Sequence, residues 1–267
     1  QKALLCVSGG RRLREFCDQH GVKYETVGKV VVATGEDELP ALEALYQRGL
    51  ANGVEGLQII GPERLGELEP HASGIKALHC PTTDIVDYGQ VSAAYANQLR
   101  KDGVEILTDT KVRKIHRSDS RITLETARGD IQTKYLVNCA GLYADAIVRK
   151  MGVKSDVRII PFRGEYYKLT PETHHLVKGL IYPVPNPDFP FLGVHFTRLV
   201  NGGVEAGPNA VFAFAREGYR LTKVNLPELL GTLTYRGFWA MSRKYWRTGV
   251  GEFYRSLSKR AFARALQ

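Results

Sequence analysis

His195 lies in the run Phe191-Leu192-Gly193-Val194-His195-Phe196-Thr197-Arg198, where apolar neighbours leave a merely solvated imidazole out of place. An imidazole with an ordinary pKa of about 6.5 can take up or release a proton near neutrality. The competing assignment is a hydrogen-bonded structural histidine. Arg163 and Arg198 carry guanidinium forks that match carboxylates bidentately, so together they could fix a dicarboxylate at both ends. Glu165, close to Arg163, offers the alternative of an internal ion pair. Tyr166 and Tyr167 could donate hydrogen bonds to a carboxylate or pack as buried aromatics. Strand parity sets a condition: in a regular strand His195 and Arg198 face opposite ways, and they serve one site only if the strand bulges or ends at Thr197.

The elements that must carry these residues follow from hydrophobic periodicity. Helices are expected over Ala3–His20, with Leu4, Leu5, Leu13, Phe16 and Cys17 inward, and over Glu36–Asn52, with Gly53 as its stop. A short helix opens with proline over Pro62–Leu68, and another runs from Tyr88 to about Asp102 with Val91, Ala94, Tyr95 and Leu99 inward. Strands are expected at Lys23–Ala33, Gly74–Cys80 and Val104–Leu107. A meander follows, built from Lys111–Ile115, Ile122–Thr126 and the turn at Arg128–Asp130. Tyr135–Cys139 is a short apolar run with the pattern of a strand buried on both faces. Ala140-Gly141 then turns the chain into a helix that ends at Gly152. This geometry lets backbone N–H groups approach a phosphate or ribose. Beyond Val157, strands are expected at Arg158–Leu169, Leu180–Val184, Phe191–Leu199 and Val204–Ala206. Basic helices are expected over Leu226–Trp246 and Gly251–Leu266.

A chain of 267 residues with 43% hydrophobic and 24% charged residues has the balance of a globular protein with a sizeable core. No apolar run approaches the ~20 residues of a spanning helix, and no leader pattern is evident. Four scattered cysteines without metal-ligand spacing read as reduced thiols, consistent with a cytoplasmic setting, and no metal site is expected. The net charge of +9 fits an acidic small molecule or an anionic membrane surface. Nucleic acid ranks last, because no recognisable binding motif accompanies the basic residues.

Thr133–Gly152, Pro161-Phe162-Arg163-Gly164-Glu165-Tyr166-Tyr167, Ile181–Pro185, Pro190–Arg198 and Gly207-Pro208-Asn209-Ala210 occur in an order and at spacings that resemble the L-2-hydroxyglutarate dehydrogenase/oxidase family. That family belongs to the FAD-dependent amino-acid oxidase and glycerol-3-phosphate dehydrogenase superfamily. The resemblance covers essentially the whole chain. It implies an α/β (α+β) fold: an incomplete FAD-binding dinucleotide domain over 1–152, joined to an antiparallel-sheet substrate layer with basic helices over 153–267. No Gly-x-Gly-x-x-Gly occurs here, so the chain resembles an internal portion of the family's enzymes, lacking that element and the C-terminal segment.

The implied activity is FAD-dependent oxidation of L-2-hydroxyglutarate to 2-oxoglutarate. In that reading His195 is the base, and Arg163, Tyr166 and Arg198 bind substrate. Val112 would read the adenine through its backbone, and Ala140, Gly141 and Leu142 would pass the pyrophosphate and ribose. Asn209 would approach the flavin or cap a turn. Asp145 is an acid in the first turn of its helix, where it also complements the helix dipole. Expected partners are a small dicarboxylate and oxygen or a quinone, with a contact at the surface of the inner membrane. The alternatives are a relative acting on glycerol-3-phosphate or an amino acid, and a non-catalytic fragment that binds an anion.

Overall fold

A computed structural model of the chain describes residues 2–186 and 193–266. Along the chain the elements are α1 Lys2–His20, β1 Tyr24–Thr26, β2 Lys29–Ala33, α2 Leu39–Ala51, β3 Gln58–Ile60, α3 Pro62–Leu68, β4 Lys76–Cys80, β5 Asp84–Val86 and α4 Tyr88–Lys101. The meander follows as β6 Val112–Arg117, β7 Ile122–Thr126 and β8 Gly129–Thr133, then α5 Ala144–Lys150, β9 Phe162–Arg163 and β10 Tyr167–Lys168. The last elements are β11 Leu180–Pro183, β12 His195–Arg198, β13 Val204–Gly207, β14 Val211–Phe212, α6 Leu226–Leu233, α7 Arg236–Leu257 and α8 Lys259–Arg264. Most of these sit where periodicity and punctuation put them. Gly28 turns β1 into β2 at φ +73°, and Gly53 and Gly152 stop their helices at positive φ. Asp87 caps α4, its carboxylate accepting the Gly89 N–H at 2.8 Å. Phe191 and Leu192, expected to begin the strand of His195, lie outside the described residues.

Backbone contacts divide the chain into two compact units. One comprises Gln1–Asp102, Gly164–Ala210 and Glu252–Gln267, and the other Gly103–Arg163 and Val211–Gly251. The first unit holds a seven-stranded sheet in the order β10-β13-β12-β11-β2-β4-β3. It combines strands from both sides of residue 153, so the division at 152/153 expected from the sequence is not the one that backbone contacts make. The reason is a single pairing: β11 runs parallel to β2, Tyr182 opposite Val31, and joins distant parts of the chain in one sheet. The strands beyond residue 157, β10-β13-β12-β11, pair antiparallel with one another as expected, and the parallel β11–β2 pair makes the whole sheet mixed. On one face Leu42 of α2 covers Val31, Ala33 and Leu78; on the other, Leu65 of α3 covers Val30, Val32 and Ala77. Full burial of each such side chain contributes about 1.5–3 kcal/mol.

The second unit holds the β6-β7-β8 meander, the β9-β14 pair, α5 and α6. Two expected strands are not formed here. Tyr135–Cys139 forms no strand, with Tyr135 85% and Val137 82% exposed, and Val104–Leu107 is likewise open. An apolar run becomes a buried strand only when neighbours take up its backbone N–H and C=O groups. Among the described residues none pairs with either run. Arg158–Leu169 is also not one strand: it yields only β9 and β10, although burial still alternates from Pro161 to Leu169 as the period predicted. On the helices, Leu4 and Leu5 of α1 and Tyr95 and Leu99 of α4 are exposed, not inward. Only Cys17 and Val91 are fully covered on these two elements, in a small cluster with Val22.

Candidate active site

The register of the large sheet aligns a row of side chains on one face. His195 is opposite Gly207, Tyr182 opposite Val31, Val31 opposite Leu78, and Leu78 opposite Ile59. Continuing the β11–β12 register by one residue brings Tyr182 beside His195, and their rings stack with centroids 4.0 Å apart. Continuing β10–β13 likewise brings Tyr166 beside Gly207. The row thus runs Tyr166, Gly207, His195, Tyr182, Val31, Leu78, Ile59. Its apolar half lies under α2, and its polar half presents the His195 imidazole and the Tyr166 and Tyr182 phenols. A neighbouring row on the same face holds Lys29, Leu180, Thr197, Glu205 and Lys168.

His195 is 7% exposed, and its Nδ1 is 3.0 Å from the Gly193 carbonyl. A carbonyl can only accept, so Nδ1 carries the proton and the neutral ring keeps its lone pair on Nε2. Burial pushes the imidazole pKa down and the nearby Lys29 charge pushes it the same way, against the opposing Gly193 hydrogen bond. The ring is therefore neutral at pH 7. Burial, Tyr182 and Glu205 raise the pKa of Tyr166, and burial raises that of Tyr182 despite its hydrogen bond with Thr197. Both phenols stay protonated and able to donate.

Arg198 does not share this face. The register from His195 to Arg198 is unbroken, so the two side chains alternate as parity required. Arg198 pairs with Glu25 at 3.2 Å and donates to the Lys178 carbonyl at 3.2 Å. A cavity of about 610 Å³ is lined by Phe196, Ile181 and Val32 together with Tyr182 and His195, and Arg198 is not among its lining residues. Arg163, in the second unit, is 6% exposed and donates to the Gly218 carbonyl at 3.4 Å. Asn209 is 3% exposed, and its amide holds Glu165 at both ends: Oδ1 accepts the Glu165 N–H at 2.9 Å and Nδ2 donates to Oε2 at 2.8 Å.

In the second unit, Ala140, Gly141 and Leu142 form a tight turn before α5. The Asn138 amide braces it, accepting the Ala140 N–H at 3.2 Å and donating to the Ala144 carbonyl at 2.9 Å. Gly141 has φ +51°, and a Cβ added there would meet no atom within 4 Å, so the turn leaves its backbone open to a close-approaching group. The Val112 carbonyl accepts from Lys150 Nζ at 3.1 Å, at the bulge that opens β6. Asp145 was legible only as a helix-terminal acid. The structure pairs it bidentately with Arg216, at 2.6 and 2.8 Å, and with Arg149 at 3.0 Å. Burial alone would raise the Asp145 pKa, but hydrogen bonds from Arg216, Arg149 and the Ile159 N–H outweigh it and hold the carboxyl at about 2. No local signal announces a partner 71 residues away.

The family model described as DAO, FAD dependent oxidoreductase, matches residues 1–236. The chain belongs to this family. An L-2-hydroxyglutarate dehydrogenase of Indibacter alkaliphilus is 48% identical over 267 residues, covering 100% of this chain and 67% of that protein. The mitochondrial L-2-hydroxyglutarate dehydrogenase of Homo sapiens is 42% identical over 278 residues, covering 100% of this chain and 60% of that protein. The chain thus spans roughly three-fifths to two-thirds of these curated relatives. Among solved structures, L-proline dehydrogenase from P. horikoshii superposes with a TM-score of 0.68 at 19% identity, over 77% of this chain and 54% of that one. FAD-bound L-alpha-glycerophosphate oxidase from Mycoplasma pneumoniae superposes with a TM-score of 0.66 at 24% identity, over 73% and 52%. These two likenesses show the fold, a mixed arrangement of helices and sheets of the FAD-dependent oxidoreductase type. FAD is the cofactor of this family, and the open Gly141 turn is compatible with a dinucleotide approaching its backbone. Among the described residues no group of His, Cys, Asp and Glu could hold a metal, and no helix is long and apolar enough to cross a membrane.

Proposed function

We propose that this chain supplies the proton-accepting and substrate-orienting residues of an enzyme that oxidises L-2-hydroxyglutarate to 2-oxoglutarate. FAD, when bound, supplies the acceptor for the hydride that leaves C2. His195 Nε2 takes the hydroxyl proton as the C2–O bond becomes a carbonyl. The observation that carries this reading is the His195 geometry: a ring kept neutral by burial, its tautomer set by Gly193, its plane fixed by Tyr182. Tyr166 donates to a substrate carboxylate, with the Lys29 ammonium on the same face adding positive potential. The backbone at Ala140, Gly141, Leu142 and Val112 would hold part of the cofactor. Arg163 and Arg198 are better read as supports of the Gly218 and Lys178 carbonyls, so the carboxylate role expected of them is not carried forward.

The FAD-loaded enzyme tests this reading directly. Mixed anaerobically with L-2-hydroxyglutarate, it should bleach its flavin absorbance, and His195→Asn should slow bleaching by about 10²–10⁴-fold. Bleaching at a near-normal rate in that variant rejects the role. A contact with an anionic membrane is supported by α6 and by α7 as far as Gly251. There Leu226, Leu230, Trp239, Trp246 and Val250 are more than half exposed beside Arg236, Arg243, Lys244 and Arg247, with no carboxylate between Leu229 and Gly251. Co-sedimentation with phosphatidylglycerol vesicles but not with phosphatidylcholine vesicles is the expected result.

A further inference from the structure

We infer that Asn209 is a positioning residue for Tyr166, acting through Glu165 and not through the cofactor. The inference rests on the proposed role of the His195 face and goes beyond it by assigning the group that fixes the substrate-binding phenol. Asn209 and Glu165 form a closed two-point clamp: the Glu165 N–H donates to Asn209 Oδ1, and Asn209 Nδ2 donates to Glu165 Oε2. The other carboxylate oxygen, Oε1, accepts from Ser256 Oγ at 3.0 Å. The residue after Asn209 is anchored as well, the Ala210 N–H donating to buried Glu252 at 2.9 Å. A shift of Asn209 breaks its two bonds to Glu165 and pulls on the neighbouring Ala210–Glu252 bond.

Tyr166 is the next residue along, and it closes onto Gly207. A Cβ at Gly207 would lie 2.6 Å from the Glu165 carbonyl oxygen and 2.9 Å from Tyr166 Cδ1. Gly207, at φ +153°, is in turn opposite His195. The clamp thus fixes the backbone that carries Tyr166 in the row that holds His195, with Gly207 between them making room for the Tyr166 ring. A ligand whose carboxylate meets Tyr166 while its hydroxyl meets His195 depends on that placement.

Kinetics and binding in the FAD-loaded enzyme test the inference. Asn209→Asp sets two carboxylates against each other, and should raise KM for L-2-hydroxyglutarate and the dissociation constant of 2-oxoglutarate about tenfold. The acidic limb of the kcat profile, which reports His195, should stay in place. Tyr166→Phe should have the same effect, and the double variant N209D/Y166F should be no worse than Y166F alone, because both act on one contact. The exchange N209D/E165Q restores a donor facing an acceptor and should return KM to within about threefold of the parent. Additive losses in N209D/Y166F, or an unchanged KM in a folded N209D variant, overturn the inference. If Asn209→Asp fails to fold, Glu165→Ala carries the same comparison with Tyr166→Phe. An unchanged KM in Y166F, with His195→Asn still blocking bleaching, sinks this inference while sparing the His195 reading. Normal bleaching in His195→Asn sinks that reading itself.

Discussion

His195 and Asp145 are almost equally buried, at 7% and 8% exposure, yet their surroundings differ in kind. Around His195 stand aromatic rings, a glycine, a carbonyl and the nearby Lys29 charge, and only Nδ1 is engaged among the hydrogen bonds described for this ring. Around Asp145 both carboxylate oxygens are taken, by two guanidinium groups and a backbone N–H. The first arrangement leaves a lone pair for something outside the protein, and the second is closed on itself. Burial of a polar residue therefore does not mark chemistry by itself.

This contrast can be attacked from the Asp145 side. The largest effect is expected from Asp145→Ala, which strips the 11% exposed Arg216 side chain of its bidentate partner and leaves Glu228 as the remaining nearby carboxylate. Urea unfolding should show a loss of about 3 kcal/mol. A loss below about 1 kcal/mol would mean that the network is no more than a surface pair. Next comes acid. The Asp145 carboxyl titrates at about 2 when folded, against an ordinary 3.8, so its contribution is complete above pH 4 and disappears as pH falls through about 2. That contribution amounts to roughly 2 kcal/mol, and Asp145→Asn should flatten this part of the stability–pH curve.

From the His195 side the pH dependence has another form. A depressed imidazole pKa keeps the base available below pH 6.5, so the acidic limb of kcat/KM should fall under the ordinary histidine value. A limb above 6.5 would contradict the burial argument. The smallest effect belongs to Arg198→Ala. It removes a part-exposed pair with Glu25, and should cost no more than about 1 kcal/mol of stability while KM stays unchanged. A large rise in KM would return Arg198 to the substrate.

Much of this arrangement was legible beforehand, and the exceptions have a common cause. The helix ends at His20, Gly53 and Gly152 depend on nearby residues, and the sequence places them where the structure has them. His195 stood out because a titratable ring interrupts an apolar run. The parity rule separated it from Arg198, and the unbroken register bears that separation out. The strands expected at Val104–Leu107 and Tyr135–Cys139 failed because a strand is defined by its neighbours, whereas Val30-Val31-Val32, with much the same pattern, has a partner on each side. Asn209 was expected at a flavin or a turn, and its hold on Glu165 became visible only when Gly207-Pro208-Asn209 was folded back on Gly164-Glu165-Tyr166.

What the order of residues determined by itself was the set of local conformations, the family, and the side chains capable of acid–base work. These follow from backbone sterics, side-chain period and intrinsic pKa, which act over a few residues. Only the tertiary structure decided which of those side chains share a face, which guanidinium groups are spent on carbonyls and carboxylates, and which imidazole nitrogen is left over. Pairing across a sheet joins residues such as Val31 and Tyr182 that no local rule connects, and desolvation shifts a pKa only after such pairing has excluded water.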